Sequence, residues 1–181
     1  MKFFTIIFCL IFLSNFSFAQ EVHYFNKAVI NQESFNFCLS SFEVTDGFLV
    51  LNYEQMLQGG AIYLNLLKLD EFGNIQWKKR LGEVAFFPPV NTMIRDKKNP
   101  NHFLVSYVEA NGINNFPYIV LLKCTEEGNV LWKKQYPNPD HITRPHRLIH
   151  TNDNGYLIIG REGYIDTGSM LAIKVDSIGS A

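Results

Sequence analysis

The sequence lacks an excess of charge of one sign. Its 181 residues include 16 Lys and Arg against 17 Asp and Glu, which leaves a formal net charge of -1. Binding to nucleic acid phosphates depends on a surplus of basic side chains. The charge balance therefore predicts neither nucleic acid nor a charged membrane surface as the partner. With 47% apolar and 18% charged residues, the composition is typical of a globular protein.

The sequence also lacks an apolar run long enough to cross a membrane as a helix, which takes about 20 residues. The longest run, residues 3–13, follows Lys2 and precedes the small residues Ser17 and Ala19. This order is typical of a secretory signal peptide. We therefore predict a signal peptide at residues 1–19, a secreted or cell-surface protein, and no membrane span after cleavage.

Cysteine is scarce, with three residues in the chain, and only Cys38 and Cys124 follow the predicted signal peptide. Export would permit a disulfide between these two thiols. A reduced cysteine behaves as a small apolar residue, so the alternative, which we favour, is two separately buried thiols in strands.

Apolar stripes with a helical period are absent, and the chain instead repeats itself. Residues 66–79 match residues 121–134 at one constant offset, and a third copy begins at residues 172–180 and stops. A shorter block, residues 46–51, recurs upstream of each later copy. Two blocks that recur in a fixed order indicate a repeat architecture with units of about 50 residues.

Within each unit the residues favour strands separated by turns. Residues 62–69 are apolar at odd and even positions apart from Asn65 and Lys68, which predicts a strand covered on both faces. Residues 75–81 instead place Ile75, Trp77 and Leu81 on one face, which predicts a half-exposed strand.

The segment between these two strands has the composition of a hairpin turn. Gly73 can adopt the positive φ that such a turn needs, and the side chain of Asp70 can accept hydrogen bonds from turn amides. Thr125 and Asp176 occupy the corresponding place in the other copies. We expect Gly128 and Gly179 to adopt the positive φ of the corresponding turns, as Gly73 does in the first.

Each unit offers about four strands, which is the plan of a β-propeller blade. We predict an all-β fold, a partial β-propeller with blades at residues 31–82, 83–137 and 138–181. Trp77 and Trp132 would wedge between adjacent blades. A third tryptophan would fall just beyond Ala181, so we expect the chain to be the N-terminal portion of a larger ring. An orphan strand at residues 20–30 would close that ring.

The sequence resembles two related groups of proteins in these same residues. The pattern apolar-x-Lys-x-Asp-x-x-Gly-Asn-apolar-x-Trp is similar to the blade repeats of secreted bacterial propeller proteins that often carry a type IX secretion sorting domain. It is also similar to the tryptophan-docking repeats of pyrroloquinoline-quinone-like propellers. The resemblance covers about residues 37 to 181 and implies a propeller fold. Phe72-Gly73 and Glu127-Gly128 stand where the quinoprotein repeat has Thr-Gly, so no cofactor is expected.

Ionisable side chains are densest just before the third copy. The set comprises His141, Arg144, His146, Arg147 and His150. A separation of four along a strand would place His146 and His150 on one face, as a metal pair requires. However, the arginines would repel a cation, and no Cys or Glu completes the ligand set. The set is then either a group of solvated loop residues or a patch that contacts an anion or a glycan.

Motifs that carry chemistry are missing, including the Gly-x-Ser-x-Gly elbow and phosphate-binding glycine loops. We therefore predict no catalytic residue, no metal and no cofactor. The predicted function is a non-catalytic binding or scaffold module with a protein or glycan ligand. The alternative is the propeller portion of an exported enzyme, quinone-dependent or acting on polysaccharide, whose catalytic residues lie beyond this chain. The sequence that follows Ala181 would discriminate between the two.

Overall fold

The computed structural model describes residues 33–57, 60–85, 92–109, 117–137, 141–163 and 168–181. This part of the chain contains eleven β-strands and no helix, so the all-β prediction is confirmed. The strands are β1 (Ser34–Val44), β2 (Gly47–Met56), β3 (Ile62–Leu69), β4 (Ile75–Val84), β5 (Met93–Arg95), β6 (His102–Glu109), β7 (Tyr118–Thr125), β8 (Val130–Tyr136), β9 (Thr143–His150), β10 (Tyr156–Glu162) and β11 (Ser169–Val175). The predicted signal peptide and the predicted strand at residues 20–30 lie outside the described residues.

Antiparallel pairing groups the strands into three units, in which strand order follows chain order. Unit 1 is β1 to β4, unit 2 is β5 to β8, and unit 3 is β9 to β11. Units 1 and 2 belong to one hydrogen-bonded sheet, but β4 and β6 meet only where Val84 pairs with Glu109. Strand β4 extends to Val84, two residues beyond the predicted end of the first blade at residue 82.

The turn after the third strand of each unit has the same backbone geometry three times. In the first, the amide of Asp70 donates to the carbonyl of Asn74 at 2.9 Å, and Gly73 donates back to the carbonyl of Asp70 at 3.0 Å. The same two bonds close the turns that begin at Thr125 and Asp176. Gly73, Gly128 and Gly179 adopt φ of 77°, 75° and 80°.

The first side chain of each turn accepts hydrogen bonds from the amides that follow. Asp70 Oδ1 accepts from the amides of Phe72 and Asn74 at 2.9 and 2.8 Å. Asp176 accepts from two amides in the same way, and Thr125 Oγ1 accepts one from Asn129 at 3.4 Å. Short polar side chains of this kind stabilise turns by satisfying amides that no strand can pair.

A β-bulge lies immediately before each tryptophan. Trp77 pairs with Lys68, but Ile75 pairs with Leu69, so Gln76 is an extra residue in β4. A matching bulge at Leu131 precedes Trp132. A bulge interrupts the alternation of side chains between faces. This corrects the prediction that Ile75 shares the covered face with Trp77, because Ile75 is exposed.

The central strands of unit 2 bury opposite faces against opposite neighbours. Phe103, Val105 and Tyr107 of β6 belong to a core cluster shared with unit 1. Leu104 of β6 and Leu121 of β7 belong to a second cluster shared with unit 3. Alternate side chains of a strand point to opposite faces, so a strand packed on both sides needs a continuous apolar run. In β3, consecutive residues are likewise buried, so both faces of that strand are covered, as predicted.

Each tryptophan rests against the glycine turn of the following unit. A methyl group placed on Gly128 would lie 2.9 Å from Cη2 and 3.1 Å from Cζ3 of Trp77, and one on Gly179 would lie 3.0 Å from Cζ3 of Trp132. Lys79 Nζ donates to the carbonyl of Glu127 at 2.6 Å in the same turn. We call this arrangement the indole joint, and it occurs between units 1 and 2 and between units 2 and 3.

The indole joint predicts energetic coupling between Trp77 and Gly128. Trp77→Ala should lower the free energy of unfolding by about 3 kcal/mol, because it removes a large, partly buried side chain. Gly128→Ala should be destabilising in the unmodified chain, where the new methyl group meets the indole and the backbone φ is unfavourable. In the Trp77→Ala background the backbone cost remains, together with a contact at 2.9 Å to Cδ of Lys79, a flexible side chain. Urea denaturation of the unmodified protein, the two single variants and the double variant should yield a coupling energy between the two substitutions of about 0.5–3 kcal/mol.

An equal cost of Gly128→Ala in both backgrounds would show that the indole does not press on the turn.

Candidate functional site

The predicted ligand patch lies on and just before β9. His141 precedes the strand and is exposed, while Arg144 on β9 is half-buried. His146 and Arg147 are both exposed, and His150 at the end of the strand is half-buried. The five side chains therefore differ widely in their access to solvent.

His146 is itself the extra residue of a β-bulge, which interrupts the strand between the two histidines. Arg147 pairs with Ile159 and Pro145 pairs with Gly160, so His146 is the extra residue. Leu148, which shares its face with His150, packs in the cluster between units 2 and 3. The prediction that His146 and His150 lie on one face is therefore wrong, because it assumed uninterrupted alternation along β9. Its metal-pair interpretation fails with it.

His150 instead joins units 2 and 3. Its Nε2 lies 2.8 Å from the carbonyl oxygen of Arg95 at the end of β5. A carbonyl only accepts, so this nitrogen carries the proton. The imidazole ring also lies 5.5 Å from the ring of Tyr156. In turn, the guanidinium of Arg95 donates to the carbonyl of Glu43 at the end of β1. The first strands of successive units are thus bonded at the same end.

A buried ion pair lies beneath His150. The side chain of Asp96 is 4% exposed, and its carboxylate is paired with the ammonium of Lys123. Burial alone would raise the pKa of Asp96, but the hydrogen bond from Lys123, the amide of Lys98 and the nearby His150 outweigh it and hold the pKa below its ordinary value. Burial, with the charge of Asp96, raises the pKa of Tyr156 to about 12. The site therefore holds an ionised Asp96 and a neutral Tyr156 at pH 7.

A lysine–aspartate ion pair that was not predicted from the sequence occurs at the corresponding place in every unit, and the pair of unit 3 is exposed to solvent. A lysine of the third strand binds an aspartate in the turn that joins the first two strands. The pairs are Lys68 with Asp46, Lys123 with Asp96, and Lys174 with Asp153. The lysines recur in the repeated sequence blocks, and this recurrence was the available signal. Their aspartates lie 22, 27 and 21 residues before the lysines, because the connecting turns and loops differ in length.

Lys68 shows why this polar residue is tolerated in a covered strand. Lys68 is 4% exposed. Its Nζ lies 3.0 Å from Oε1 of Glu126 in unit 2 and also binds the carboxylate of Asp46. Burial would lower the pKa of Lys68, but the bonds to these two carboxylates outweigh it and raise the pKa. A buried charge is retained only when it is paired in this manner.

A cleft of about 440 Å³ lies at the interface between units 2 and 3. Met93 and Ile94 of β5 form part of one side, and Leu148 and Ile149 of β9 form part of the other. Two cationic side chains, Lys97 and Arg147, also line it, and both residues are exposed. No acidic residue is among the described residues that line the cleft.

Lys97 was not selected from the sequence, although it lies in the basic run Lys97-Lys98. It follows a strand of only three residues, β5. Its approach to Arg147 depends on how units 2 and 3 pack, which no local pattern encodes. Of the predicted patch, Arg147 and His150 line this cleft.

Other classes of site have little support in the described part of the chain. No group of three or more His, Cys, Asp or Glu there is placed to hold a metal ion. Cys38 and Cys124 are both free thiols, and burial raises the pKa of Cys124 to about 12. Cys38 is exposed, which corrects the prediction of two buried thiols. No helix within the described ranges is long and apolar enough to cross a membrane.

Comparison with known proteins does not assign the chain to a family. No protein-family model matches it, and no curated protein matches it.

The Asp96–Lys123 pair predicts a specific loss of stability in acid. The folded pKa of Asp96 is below its ordinary value, so its stabilising contribution is complete above about pH 4 and is lost as the pH falls through the folded pKa. Asp96→Asn should cost about 3–5 kcal/mol at pH 7, because it leaves the ammonium of Lys123 without its carboxylate. The variant should then lose less further stability than the unmodified protein between pH 7 and pH 3, as measured by urea denaturation.

Asp153→Asn is the matched control, because its pair with Lys174 is exposed to solvent. It should change the urea midpoint far less than Asp96→Asn. If Asp96→Asn and the unmodified protein lost the same stability on acidification, Asp96 would not be a source of the acid sensitivity.

Proposed function

We propose that this protein is a non-catalytic binding or scaffold module, exported to the cell surface or beyond, in which the three units are successive blades of a β-propeller. Support for the blade assignment comes from antiparallel units in chain order, with central strands apolar on both faces and the indole joint between neighbours. Support for export comes from the N-terminal sequence, whose basic residue, apolar run and small residues suit a signal peptide.

The proposed ligand is an acidic glycan, and the cleft between β5 and β9 is its binding site. The observation that carries this proposal is the pair of cations, Lys97 and Arg147, contributed to one cleft by two different units. A guanidinium can bind a carboxylate through two parallel hydrogen bonds. The half-buried aliphatic side chains of Ile94 and Ile149, which also line the cleft, offer apolar contact to the C–H faces of a sugar ring.

The remaining residues of the predicted patch have lesser roles in this proposal. His150 forms part of the cleft wall and is held by its bond to the Arg95 carbonyl. His146 adjoins Arg147 on the exposed bulge. His141 and Arg144 do not line the cleft.

The proposal predicts that binding depends on charge in both partners. On an array of oligosaccharides, the protein should bind uronic acid oligomers and not neutral oligomers of equal length. Lys97→Ala and Arg147→Ala should each weaken binding about tenfold or more, since a hydrogen bond to a charged group contributes roughly 1.5–3 kcal/mol. Titration of a labelled oligogalacturonate at low and high salt would measure both effects.

Lys98→Ala is the matched control, because Lys98 is an exposed neighbour of Lys97 that does not line the cleft. It removes the same charge and should leave the affinity nearly unchanged. Equal binding of neutral and acidic oligomers, or full binding by the Arg147→Ala and Lys97→Ala proteins, would reject the acidic-glycan site.

A further inference from the structure

Units 2 and 3 are joined without shared backbone pairing. Units 1 and 2 belong to one hydrogen-bonded sheet, whereas β9, β10 and β11 form a sheet of their own, and no strand of unit 2 pairs with them within the described ranges. The contacts that join the two units involve side chains, among them the apolar cluster that includes Leu104, Leu121 and Ile158. Apolar packing is non-directional. The offset of β9 along β5 is therefore left to polar contacts.

Hydrogen bonds from side chains cross this interface near both edges of unit 2. At the β5 edge, Nε2 of His150 donates to the carbonyl oxygen of Arg95 at 2.8 Å. At the β8 edge, Oη of Tyr136 donates to the carbonyl oxygen of Gly179 at 2.8 Å. The two bonds are of the same kind, but they differ in position. His150 lines the cleft, and Tyr136 is not among the described residues that line it.

The acceptor of the His150 bond is itself held in place. The guanidinium of Arg95 donates to the carbonyl of Glu43 in unit 1. Its Cζ also lies 5.8 Å from the ring centroid of Phe42 and 5.4 Å from that of Phe103. Guanidinium groups are attracted to aromatic faces at such distances. The carbonyl that His150 binds therefore belongs to a residue with little freedom to shift.

Both cations of the cleft are close in sequence to this bond. Lys97 follows Arg95 by two residues, and Arg147 precedes His150 by three. Asp96 anchors the segment before Lys97, since its Oδ1 accepts from the backbone amide two residues further on at 3.1 Å. A strand advances about 3.3 Å per residue, so a shift of β9 by one residue would move Arg147 that far relative to Lys97. The His150 bond thus sets the spacing of the two cations.

We propose that His150 is a positioning residue for the acidic-glycan site. Through its bond to the Arg95 carbonyl, it holds Arg147 of unit 3 at the spacing from Lys97 of unit 2 that lets both cations bind one ligand. This inference rests on the proposed function of the cleft. The affinity gained from Arg147 then depends on His150, whereas residues that act independently contribute additively.

The experiment titrates the labelled oligogalacturonate with variants of the full chain. The amide nitrogen of a glutamine reaches as far as Nε2 of histidine, and that of an asparagine only as far as Nδ1. His150→Asn should therefore weaken binding about tenfold or more, because one cation loses its bond to the ligand. His150→Gln retains a donor for the carbonyl and should bind within about threefold of the unmodified protein.

Tyr136→Phe is the matched control, because it removes a hydrogen bond of the same kind between the same two units and away from the cleft. Its affinity should stay within about threefold of the unmodified protein. Thermal denaturation shows whether each variant is folded at the temperature of the titration. If His150→Asn does not fold, His150→Leu, which also lacks a donor that reaches the carbonyl, takes its place.

A double variant separates positioning from direct contact with the ligand. In the unmodified chain, Arg147→Ala should weaken binding about tenfold or more. In the His150→Asn chain the cations no longer converge, so the same substitution should weaken binding by less than about threefold. Equal effects of Arg147→Ala in the two backgrounds would show that His150 acts independently of Arg147 and would overturn the proposal.

The positioning role and the glycan site fail in different ways. If the unmodified protein does not bind oligogalacturonate, both are rejected. If it binds and His150→Asn binds equally well, the glycan site stands and the positioning role is rejected. The same conclusion follows if Tyr136→Phe weakens binding as much as His150→Asn does, because any loosening of the interface would then suffice.

Discussion

The indole joint is the contact on which the rest of the structure depends. A four-stranded antiparallel unit with apolar residues on both faces is stable only when both faces are covered. The core clusters between neighbouring units cover these faces, and the indole joint places Trp77 against Gly128 and Trp132 against Gly179 at their margins. A side chain at either glycine would occupy the space of the indole, so the close approach needs glycine for steric reasons as well as for its φ. The bulge before each tryptophan sets the position from which the ring reaches the next unit.

Charged residues inside the units reinforce this arrangement. The lysine of each third strand binds an aspartate of the first turn in its own unit, and Lys68 also reaches Glu126 in the next unit. Pairs with a buried member, such as Lys68 or Asp96, contribute little net stability but penalise any packing that breaks them. They therefore specify which turn lies beside which strand. The bonds from Arg95 to the Glu43 carbonyl and from His150 to the Arg95 carbonyl align the first strands of successive units. That alignment creates the cleft between β5 and β9.

The strands and turns were largely predictable because they depend on local patterns. The continuous apolar run of β3 and the turn residues Asp70 and Gly73 have the roles that their spacing predicts. The candidate site was predictable only in part. The sequence pointed to Arg147 and His150, which both line the cleft, but it grouped them with three residues that do not line it. It did not point to Lys97, whose relation to Arg147 crosses two units.

The sequence by itself determined the class of fold, because period-two patterning, turn chemistry and glycine positions act over a few residues and need no distant partner. Only the tertiary structure decided that Ile75 faces solvent, that His150 bonds the neighbouring unit, and which residues line the cleft. A single extra residue in a strand reverses the faces of the side chains beyond it. Whether a strand accommodates that residue depends on the strands and units packed against it.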